Sequence, residues 1–150
     1  MRNAPTIESF TIQELSQQSG LPEPTLRYYE KIGLIKPVSR DPSSGHRRYP
    51  AETVRVVTVL SCLRTCGFSI EDMRMYLHLL EKGGMQGATL EKELFTIHAK
   101  ELERQIELLQ IRKQYLEVKA TYWEALERGD TRAAQLITEE IHRLAARLTE

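Results

Sequence analysis

Hydrophobic residues in the second half of the chain recur every three or four positions over a long distance. From Phe95 to Trp123 the steps alternate between four and three, with one polar interruption at Lys113. This is the spacing of a coiled-coil seam. No proline or glycine occurs within 89–127. The pattern therefore predicts one continuous helix over 89–127, with a length of about 60 Å.

No other segment of the chain is long enough to cover this seam. A helix folded back onto its own domain would leave most of the seam in water, which is unfavourable for apolar side chains. We therefore expect a homodimer in which two copies cover each other's seam. The seam consists of Phe95, Ala99, Leu102, Ile106, Leu109, Leu116, Ala120 and Trp123.

Turn-forming residues lie on both sides of the long helix. Three glycines between positions 83 and 87 predict a flexible joint over 81–88. At the other end Gly129 breaks the helix, and Asp130 can cap a last, shorter helix over 130–148. The apolar residues of this last helix again fall on one face.

Shorter helical patterns precede the joint. Thr11 and Glu14 form the pattern of a capping box, which begins a first helix that ends near Gly20. A second helix has Pro24 in its first turn and stops at Gly33. Two short helices joined by a turn with glycine are typical of a helix-turn-helix. The sequence therefore predicts a helix-turn-helix unit over about 10–80.

The stretch after the second helix predicts a β-hairpin. Leu34–Ile35 and 46–49 can form short strands, and residues 40–45 between them are rich in turn formers. Next to a helix-turn-helix, such a hairpin is a wing. Two further helices follow, with starts near Pro50 and Ser69. The apolar stripe of the first of these two helices consists of Val56, Leu60 and Leu63.

The second helix and the wing carry side chains that suit DNA. Arg and Lys meet phosphates or guanine edges, and Tyr hydroxyls reach phosphates. The candidates are Pro24, Arg27, Tyr28 and Lys31 on the helix, and His46, Arg47, Arg48 and Tyr49 on the far strand of the wing. A solvated surface helix and loop is the alternative that these residues alone leave open.

Composition places the chain among mainly α, globular proteins. It has 150 residues, 41% hydrophobic and 28% charged, with 21 basic and 21 acidic side chains. The charge is uneven, because 11–68 holds eight basic residues against five acidic ones. No apolar run reaches the length of a membrane span, and the stretch Met1–Pro5 lacks the apolar core of a signal peptide. We therefore expect a cytoplasmic protein that does not bind membranes.

Four stretches, taken in order, resemble the MerR family of bacterial transcription regulators. They are Thr11-Ile-Gln-Glu-Leu15, the run from Gly20 to Leu34 with Thr-Leu-Arg-Tyr-Tyr-Glu at its centre, Gly45-His-Arg-Arg-Tyr49, and the run from Leu63 to Met73. The resemblance is close over about 10–80. It implies a winged helix-turn-helix dimer joined by an antiparallel coiled coil. It also implies a dimer that binds an inverted repeat within an over-long promoter spacer and distorts the DNA, so that RNA polymerase can use both promoter elements.

The resemblance implies particular DNA contacts. They come from Thr25, Arg27 and Tyr28 on the recognition helix, from Arg47 and Tyr49 in the wing, and from Thr11 at the start of the first helix. Pro22 departs from the family pattern, because many members have a serine there as the N-cap of the recognition helix. The cap hydrogen bond is therefore expected to be missing.

The two cysteines are four residues apart on the third helix. Cys62 lies away from the apolar stripe and on the same side as Cys66. A disulfide between them is not expected, because their Cβ vectors run parallel in a helix. The stretch from Cys62 to Gly67 is similar to the AdhR/NmlR branch of the family, whose members are linked to aldehyde or nitrosative stress. This similarity implies Cys62 as a sensor thiol, with Cys66 as a second candidate. The alternative is an ordinary, half-buried thiol.

Other functions stay open on the sequence alone. The signal can instead be a small organic ligand bound beside the dimer helix by Tyr115, Tyr122 and Trp123. We expect no metal or cofactor, because the histidines are not clustered at ligand spacings. A coiled-coil interaction protein without DNA binding is disfavoured by the basic helix and wing. A cysteine-dependent enzyme is disfavoured because no histidine lies at a sequence spacing from either cysteine that would indicate a catalytic pair.

Overall fold

Helices make up most of residues 8–149, the part of the chain that a computed structural model describes. The elements are β1 Ser9–Phe10, α1 Ile12–Ser19, α2 Glu23–Lys31, β2 Tyr49–Pro50, α3 Ala51–Thr65, α4 Ile70–Lys82, α5 Gly84–Glu127 and α6 Thr131–Thr149. The mainly α class and the long fifth helix are therefore confirmed. None of the helices within 8–149 combines the length and apolar character that a membrane span requires. The stretch Met1–Pro5 lies outside the described residues.

The chain divides into two compact units, the first ending at Leu94 and the second beginning at Phe95. In the first unit a single hydrophobic core holds side chains from α1, α2, α3 and α4 and from the connections between them. Its buried members are Leu15, Leu21, Leu26, Tyr29, Leu34, Ile35, Tyr49, Val57, Leu60, Leu63, Phe68 and Met73. On α3 the fully buried valine is Val57, whereas the predicted Val56 is only half-buried against the same core.

The ends of α1 follow the predicted chemistry. The Thr11 hydroxyl accepts the backbone N–H of Glu14 at 3.2 Å, and the Glu14 carboxylate accepts the backbone N–H of Thr11 at 2.7 Å. This reciprocal pair satisfies two amide groups that the first turn of a helix leaves free. Gly20 ends α1 with a φ of 73°, a left-handed conformation that glycine adopts without strain. The predicted capping box is therefore confirmed.

The recognition helix α2 begins without a side-chain cap. Pro22 occupies the N-cap position and makes no side-chain hydrogen bond there, as its departure from the family pattern predicts. Pro24 lies in the first turn, where its missing N–H has no helical partner in any case. Leu26 and Tyr29, only 1% and 3% exposed, fix the opposite face of α2 to the core.

The hairpin after α2 forms with a different pairing from the predicted one. Leu34 and Ile35 are both buried but pair with no neighbouring strand. Their N–H groups both donate to the carbonyl of Tyr29, at 2.9 and 3.2 Å, which closes the end of α2. The bridge across the hairpin joins Arg40 to Arg47 instead.

The strand β2 pairs with a segment for which the sequence gives no periodic signal. β1 and β2 are antiparallel, with Ser9 opposite Pro50 and Phe10 opposite Tyr49. A strand of two residues is too short to show an alternating pattern. The pairing holds the far arm of the wing against the chain segment that leads into α1.

The joint predicted over 81–88 is mostly helical, which corrects that boundary. α5 begins at Gly84, not at residue 89, so that only Gly83 separates it from α4. Close packing explains the glycine at position 87, because a Cβ there would lie 3.1 Å from the carbonyl oxygen of Leu79. This glycine allows α5 to pass close to the end of α4.

In the second unit α6 packs against the end of α5. Ala125 of α5 is buried, as are Ala134, Ile141 and Leu144 of α6. The Asp130 carboxylate accepts the backbone N–H of Ala133 at 2.9 Å, which is the predicted cap. The seam side chains of α5 are exposed, namely Phe95, Ala99, Leu102, Ile106, Leu109, Leu116, Ala120 and Trp123.

Candidate nucleic-acid interface

A groove of about 440 Å³ lies where the start of α1, the recognition helix and the wing meet. Its lining residues are Thr11, Ile12, Gln13, Glu23, Arg27, Arg40, His46 and Arg47. Three arginines and a histidine face one carboxylate, so the groove is positively charged. Polar donors and arginines around an open groove are suited to binding phosphate groups.

The groove joins four residues that the sequence analysis selected from three separate segments: Thr11, Arg27, His46 and Arg47. It also contains Gln13 and Arg40, which sequence reasoning missed. Arg40 lies opposite Arg47 in the hairpin, so the correct pairing of the two arms would have identified it. No sequence signal distinguished Gln13 from the other polar residues of α1.

Arg27 stands free enough to meet a ligand. Its Nη2 lies 3.0 Å from Oε2 of Glu23, one turn earlier on α2, and the two side chains are 54% and 36% exposed. Exposed pairs at this spacing contribute only a few tenths of a kcal/mol. The remaining donors of the guanidinium therefore stay available for a phosphate or a base edge.

The other selected residues of α2 lie outside the groove. Pro24, Tyr28 and Lys31 are exposed, Tyr28 by 51%, while Thr25 is half-buried. Together they form the outer face of the recognition helix, opposite the buried Leu26. Contacts from this face to DNA stay a prediction.

One carboxylate connects the recognition helix to the wing. Glu30 of α2 accepts the hydroxyl hydrogen of Tyr49 on Oε2 at 3.0 Å, and Nε of Arg47 lies 3.3 Å from Oε1. The Glu30 side chain is only 12% exposed. Burial, followed by the bond to Glu30, raises the pKa of Tyr49 to about 12. The phenol therefore stays protonated and remains a donor at neutral pH.

The predicted contact of Tyr49 with the DNA backbone is corrected by its burial. Tyr49 is 1% exposed, and its hydroxyl is already bound to Glu30, so the structure leaves it no path to a phosphate. Arg48 also does not line the groove. Its Nε donates to the Ser9 hydroxyl at 3.1 Å and its Nη2 to the Ser9 carbonyl at 2.7 Å. Both residues thus hold the wing in place.

The turn of the wing is organised by Asp41. Oδ1 of Asp41 accepts the backbone N–H groups of Ser43 and Ser44 at 2.9 and 2.8 Å, together with both hydroxyls. These bonds, first of all the one from the Ser43 hydroxyl, hold the pKa of Asp41 well below its usual range. Arg40 adds a bond to the Gly45 carbonyl at 3.0 Å.

The candidate sensor residues lie elsewhere. Cys62 and Cys66 are free thiols and both are exposed, as the helix periodicity predicts for Cys62. In the second unit the rings of Tyr122 and Trp123 meet edge to face at 5.4 Å, and Tyr115 is half-buried. Among the described residues, no group of three or more His, Cys, Asp or Glu side chains is arranged to hold a metal ion.

The first unit has a helix-turn-helix followed by a hairpin wing, and both border one basic groove. This arrangement places it in the class of winged helix-turn-helix proteins.

Residues 10–80 match the profile described as MerR HTH family regulatory protein. The transcriptional regulator AdhR of Bacillus subtilis (strain 168) is 42% identical over 72 residues, which are 48% of this chain and 51% of AdhR. This match thus spans about half the length of AdhR. The regulator HmrR of Rhizobium leguminosarum bv. viciae is 38% identical over 103 residues, 68% of this chain and 78% of HmrR.

Two solved structures have a similar fold over most of the chain. HiNmlR, a MerR family regulator lacking the sensor domain and bound to promoter DNA, is 26% identical with a TM-score of 0.65. The similarity covers 85% of this chain and 96% of HiNmlR. A MerR family transcriptional regulator from Listeria monocytogenes is 32% identical with a TM-score of 0.64, over 88% of this chain and 99% of that one. This chain therefore belongs to the MerR family of helix-turn-helix regulators.

Proposed function

We propose that this protein is a dimeric transcription regulator that binds double-stranded promoter DNA in the cytoplasm. The observation that carries this proposal is the groove, which brings Thr11, Arg27, Arg40, His46 and Arg47 to one open surface. Guanidinium groups pair well with the oxygens of phosphates, and a recognition helix beside them reads base edges in the major groove. We propose no catalytic activity.

The comparison with HiNmlR supports DNA as the ligand. That protein is described as bound to promoter DNA, and the similarity extends beyond the helix-turn-helix into the long helix. By analogy, the outer face of α2, with Thr25, Tyr28 and Lys31, enters the major groove. The wing arginines then meet the flanking phosphates.

The exposed seam of α5 supports a homodimer. Leu102, Ile106, Leu109, Leu116 and Trp123 are between 41% and 67% exposed on one helix. Burying such side chains contributes about 25 cal/mol for each Å² of apolar surface removed from water. We propose that two copies bury this seam in an antiparallel coiled coil, so that two recognition helices face an inverted repeat.

The proposed regulatory step is a distortion of the DNA between the two half-sites. A dimer of fixed spacing can bend and untwist an over-long promoter spacer, so that RNA polymerase engages both promoter elements. The energy of this step depends on the stiffness of the spacer DNA, which depends on its sequence. Base pairs that the protein does not touch can therefore contribute to specificity. RNA polymerase is in this scheme a partner through the DNA.

The DNA-binding proposal is tested by gel shift on a duplex that contains the promoter region of the gene itself. Arg27→Ala is expected to abolish specific binding. Arg47→Ala should give a milder loss that increases with salt, as expected for a phosphate contact. Arg132→Ala removes an exposed arginine of α6, far along the chain from the groove, and serves as the matched control. Unchanged affinity in both groove variants would leave a coiled-coil interaction protein as the better reading.

For the signal we propose the thiol of Cys62, as in the AdhR/NmlR branch. Its support is that both cysteines are free and exposed, Cys62 on α3 and Cys66 directly after its end. The thiolate can add to the carbonyl carbon of an aldehyde, and the resulting alkoxide takes a proton from water to give a hemithioacetal; Cys66 offers a second site. The test compares DNA affinity with and without an aldehyde in the wild type, Cys62→Ser and Cys66→Ser. A Cys62→Ser protein that still responds would rule out this sensor.

The second candidate for the signal is a small cationic organic ligand. One observation favours it: Nζ of Lys119 lies 5.7 Å from the ring centre of Tyr122 and 5.9 Å from that of Trp123. These rings therefore already accept a cation on their faces. Quenching of the fluorescence of Trp123, the single tryptophan of the chain, by quaternary ammonium compounds tests it, with Tyr122→Leu expected to reduce the effect.

A further inference from the structure

Glu30 is a carboxylate in an unexpected place. It lies on the recognition helix, whose proposed ligand is a polyanion, and a negative charge there repels phosphates. Yet its side chain is 12% exposed and occupies the contact between α2 and the wing. Its two partners are Arg47 and Tyr49, neither of which is on its own helix.

We propose that Glu30 is a positioning residue that aims the guanidinium of Arg47 at a phosphate of the DNA backbone. This inference rests on the proposed function and adds to it a role for a residue that does not itself touch DNA. In this scheme Tyr49 holds Glu30, Glu30 holds Arg47, and Arg47 meets the phosphate.

The first step in this chain is the fixed orientation of the Glu30 carboxylate. A carboxylate with one partner can rotate, whereas Glu30 has a different partner on each oxygen. The Tyr49 hydroxyl, bound to Oε2 at 3.0 Å, belongs to a side chain that is 1% exposed and therefore cannot move away. Oε1 is thereby directed towards the wing.

The second step is the edge of Arg47 that remains free. Glu30 contacts Nε, and the guanidinium still has its two terminal NH₂ groups to donate. Arg47 lines the groove, and its side chain is 38% exposed. A planar guanidinium that is held at Nε can present its NH₂ groups to a phosphate in a fixed plane. Less conformational entropy is then lost when DNA binds.

The proposal and simple charge repulsion predict opposite signs. If Glu30 only adds negative charge near the DNA, its neutralisation strengthens binding. If Glu30 positions Arg47, neutralisation weakens binding and removes one phosphate contact. The slope of log K against log[salt] then decreases in magnitude by about 0.9, the contribution of one phosphate.

Glu30→Gln is the first variant, because it keeps the size of the side chain and removes the negative charge that attracts the guanidinium of Arg47. The probe is a duplex that the wild-type protein selects from a random library, studied by fluorescence anisotropy at several salt concentrations. We expect roughly tenfold weaker binding, the typical effect of losing one charge-assisted hydrogen bond from Arg47 to a phosphate, together with the smaller salt slope. Melting curves check that the variant is folded.

Glu23→Gln is the matched control on the same helix. Glu23 also lines the groove and pairs with an arginine, but within one exposed helix face. Its neutralisation should strengthen binding or increase the salt slope, as charge repulsion predicts. In an Arg47→Ala background, Glu30→Gln should cause no further loss.

Arg47→Lys is the second variant and leaves Glu30 and Tyr49 intact. A single ammonium group cannot bind the carboxylate and the phosphate through opposite edges, as a guanidinium can. This variant should weaken binding to a similar extent.

The outcomes separate the two proposals. If the wild type selects no duplex, the proposed DNA-binding function fails. If it selects one and Glu30→Gln or Arg47→Lys binds it as tightly as the wild type, the positioning role fails while the function stands. An equal loss in Glu23→Gln, or a further loss in the Arg47→Ala background, also overturns the positioning role.

Discussion

Burial favours the neutral forms of Tyr49 and Glu91 in the first unit. Burial, together with the bond to Glu30, raises the pKa of Tyr49 to about 12. Burial also raises the pKa of Glu91 on α5, whose two carboxylate oxygens are shielded from solvent and accept no hydrogen bond. The two differ in consequence, because a neutral tyrosine is the normal form at pH 7 and a neutral glutamate is not.

Glu91→Gln is expected to stabilise the protein at pH 7. A raised pKa in the folded state means that stability is fully present below the unfolded value, near 4.5, and is lost as pH rises through the folded value. Removing the charge should therefore increase the free energy of unfolding by about 0.5–1 kcal/mol. This is less than the cost of a fully buried charge, because the rest of the Glu91 side chain is partly exposed to water. Urea titrations at pH 7 and pH 4 measure this, and the gain should shrink at pH 4. Glu93→Gln, two residues away and exposed, is the control. A lower stability of Glu91→Gln at pH 7 would mean that the carboxylate has a cationic partner in the assembled protein.

Tyr49→Phe is expected to destabilise the wing without emptying the core. The ring stays packed, while Glu30 loses a hydrogen bond of the kind that contributes about 1.5–3 kcal/mol when one partner is charged. The folded pKa of Tyr49 lies above the unfolded value of 10, so this stability is present below pH 10 and is lost as pH rises towards 12. Thermal unfolding at pH 8 and above pH 10 should show the difference from the wild type becoming smaller. Tyr28→Phe, at an exposed hydroxyl, should leave the melting temperature unchanged. Equal melting temperatures for the wild type and Tyr49→Phe at pH 8 would contradict the prediction.

At the scale of elements, the helix starts follow from local chemistry and the wing does not. The capping boxes at Thr11 and Ser69 each satisfy the first turn of a helix through residues three positions apart. Such signals are readable from sequence because all the groups involved are neighbours. The wing depends instead on Arg48, which binds Ser9 from 39 residues away. A hairpin arm anchored outside its own hairpin has no local signature.

At the beginning of α5, two of the three clustered glycines lie within the helix. Gly87→Ala replaces glycine with a better helix former, which by itself favours an α-helix by about 1 kcal/mol. The new Cβ would lie 3.1 Å from the Leu79 carbonyl oxygen, which is held in place by the N–H of Gly83 at 3.2 Å. We therefore expect the substitution to lower the free energy of unfolding by about 1 kcal/mol, as typical core overpacking does. Urea unfolding checks this, with Ala88→Gly reporting the propensity term alone. An increase in stability would indicate that the end of α4 can move aside.

At the scale of the whole molecule, each unit lacks something that a second copy would supply. The first unit holds one basic groove, and one recognition helix with a few base-reaching side chains specifies little by itself. The second unit exposes an apolar seam that a monomer would leave in water. The proposed dimer would account for both features at once, because it would bury the seam and supply a second recognition helix.

Leu109→Glu tests this arrangement at the middle of the seam. In an antiparallel pair that crosses near this residue, the two new carboxylates would lie close together in a low-dielectric contact. We expect the protein to become monomeric and to lose specific DNA binding at least tenfold, since the two half-sites are no longer bound together. Light scattering after size-exclusion chromatography gives the mass, and Gln110→Glu, which lies outside the seam, is the control. A dimer that survives Leu109→Glu would place the interface elsewhere.

The sequence by itself determined the mainly α class, the helix-turn-helix, the long helix and the seam. These features arise from periodicity and capping among residues within a few positions of each other. It also selected Arg27 and Arg47 of the groove from their type and position, but not Arg40. Only the tertiary structure decided which selected residues face outward. Tyr49 looked like a phosphate contact and is buried, because its hydroxyl reaches Glu30 across 19 residues of chain. That bond depends on how α2 and the wing pack, and packing between distant segments leaves no periodic trace in a single sequence.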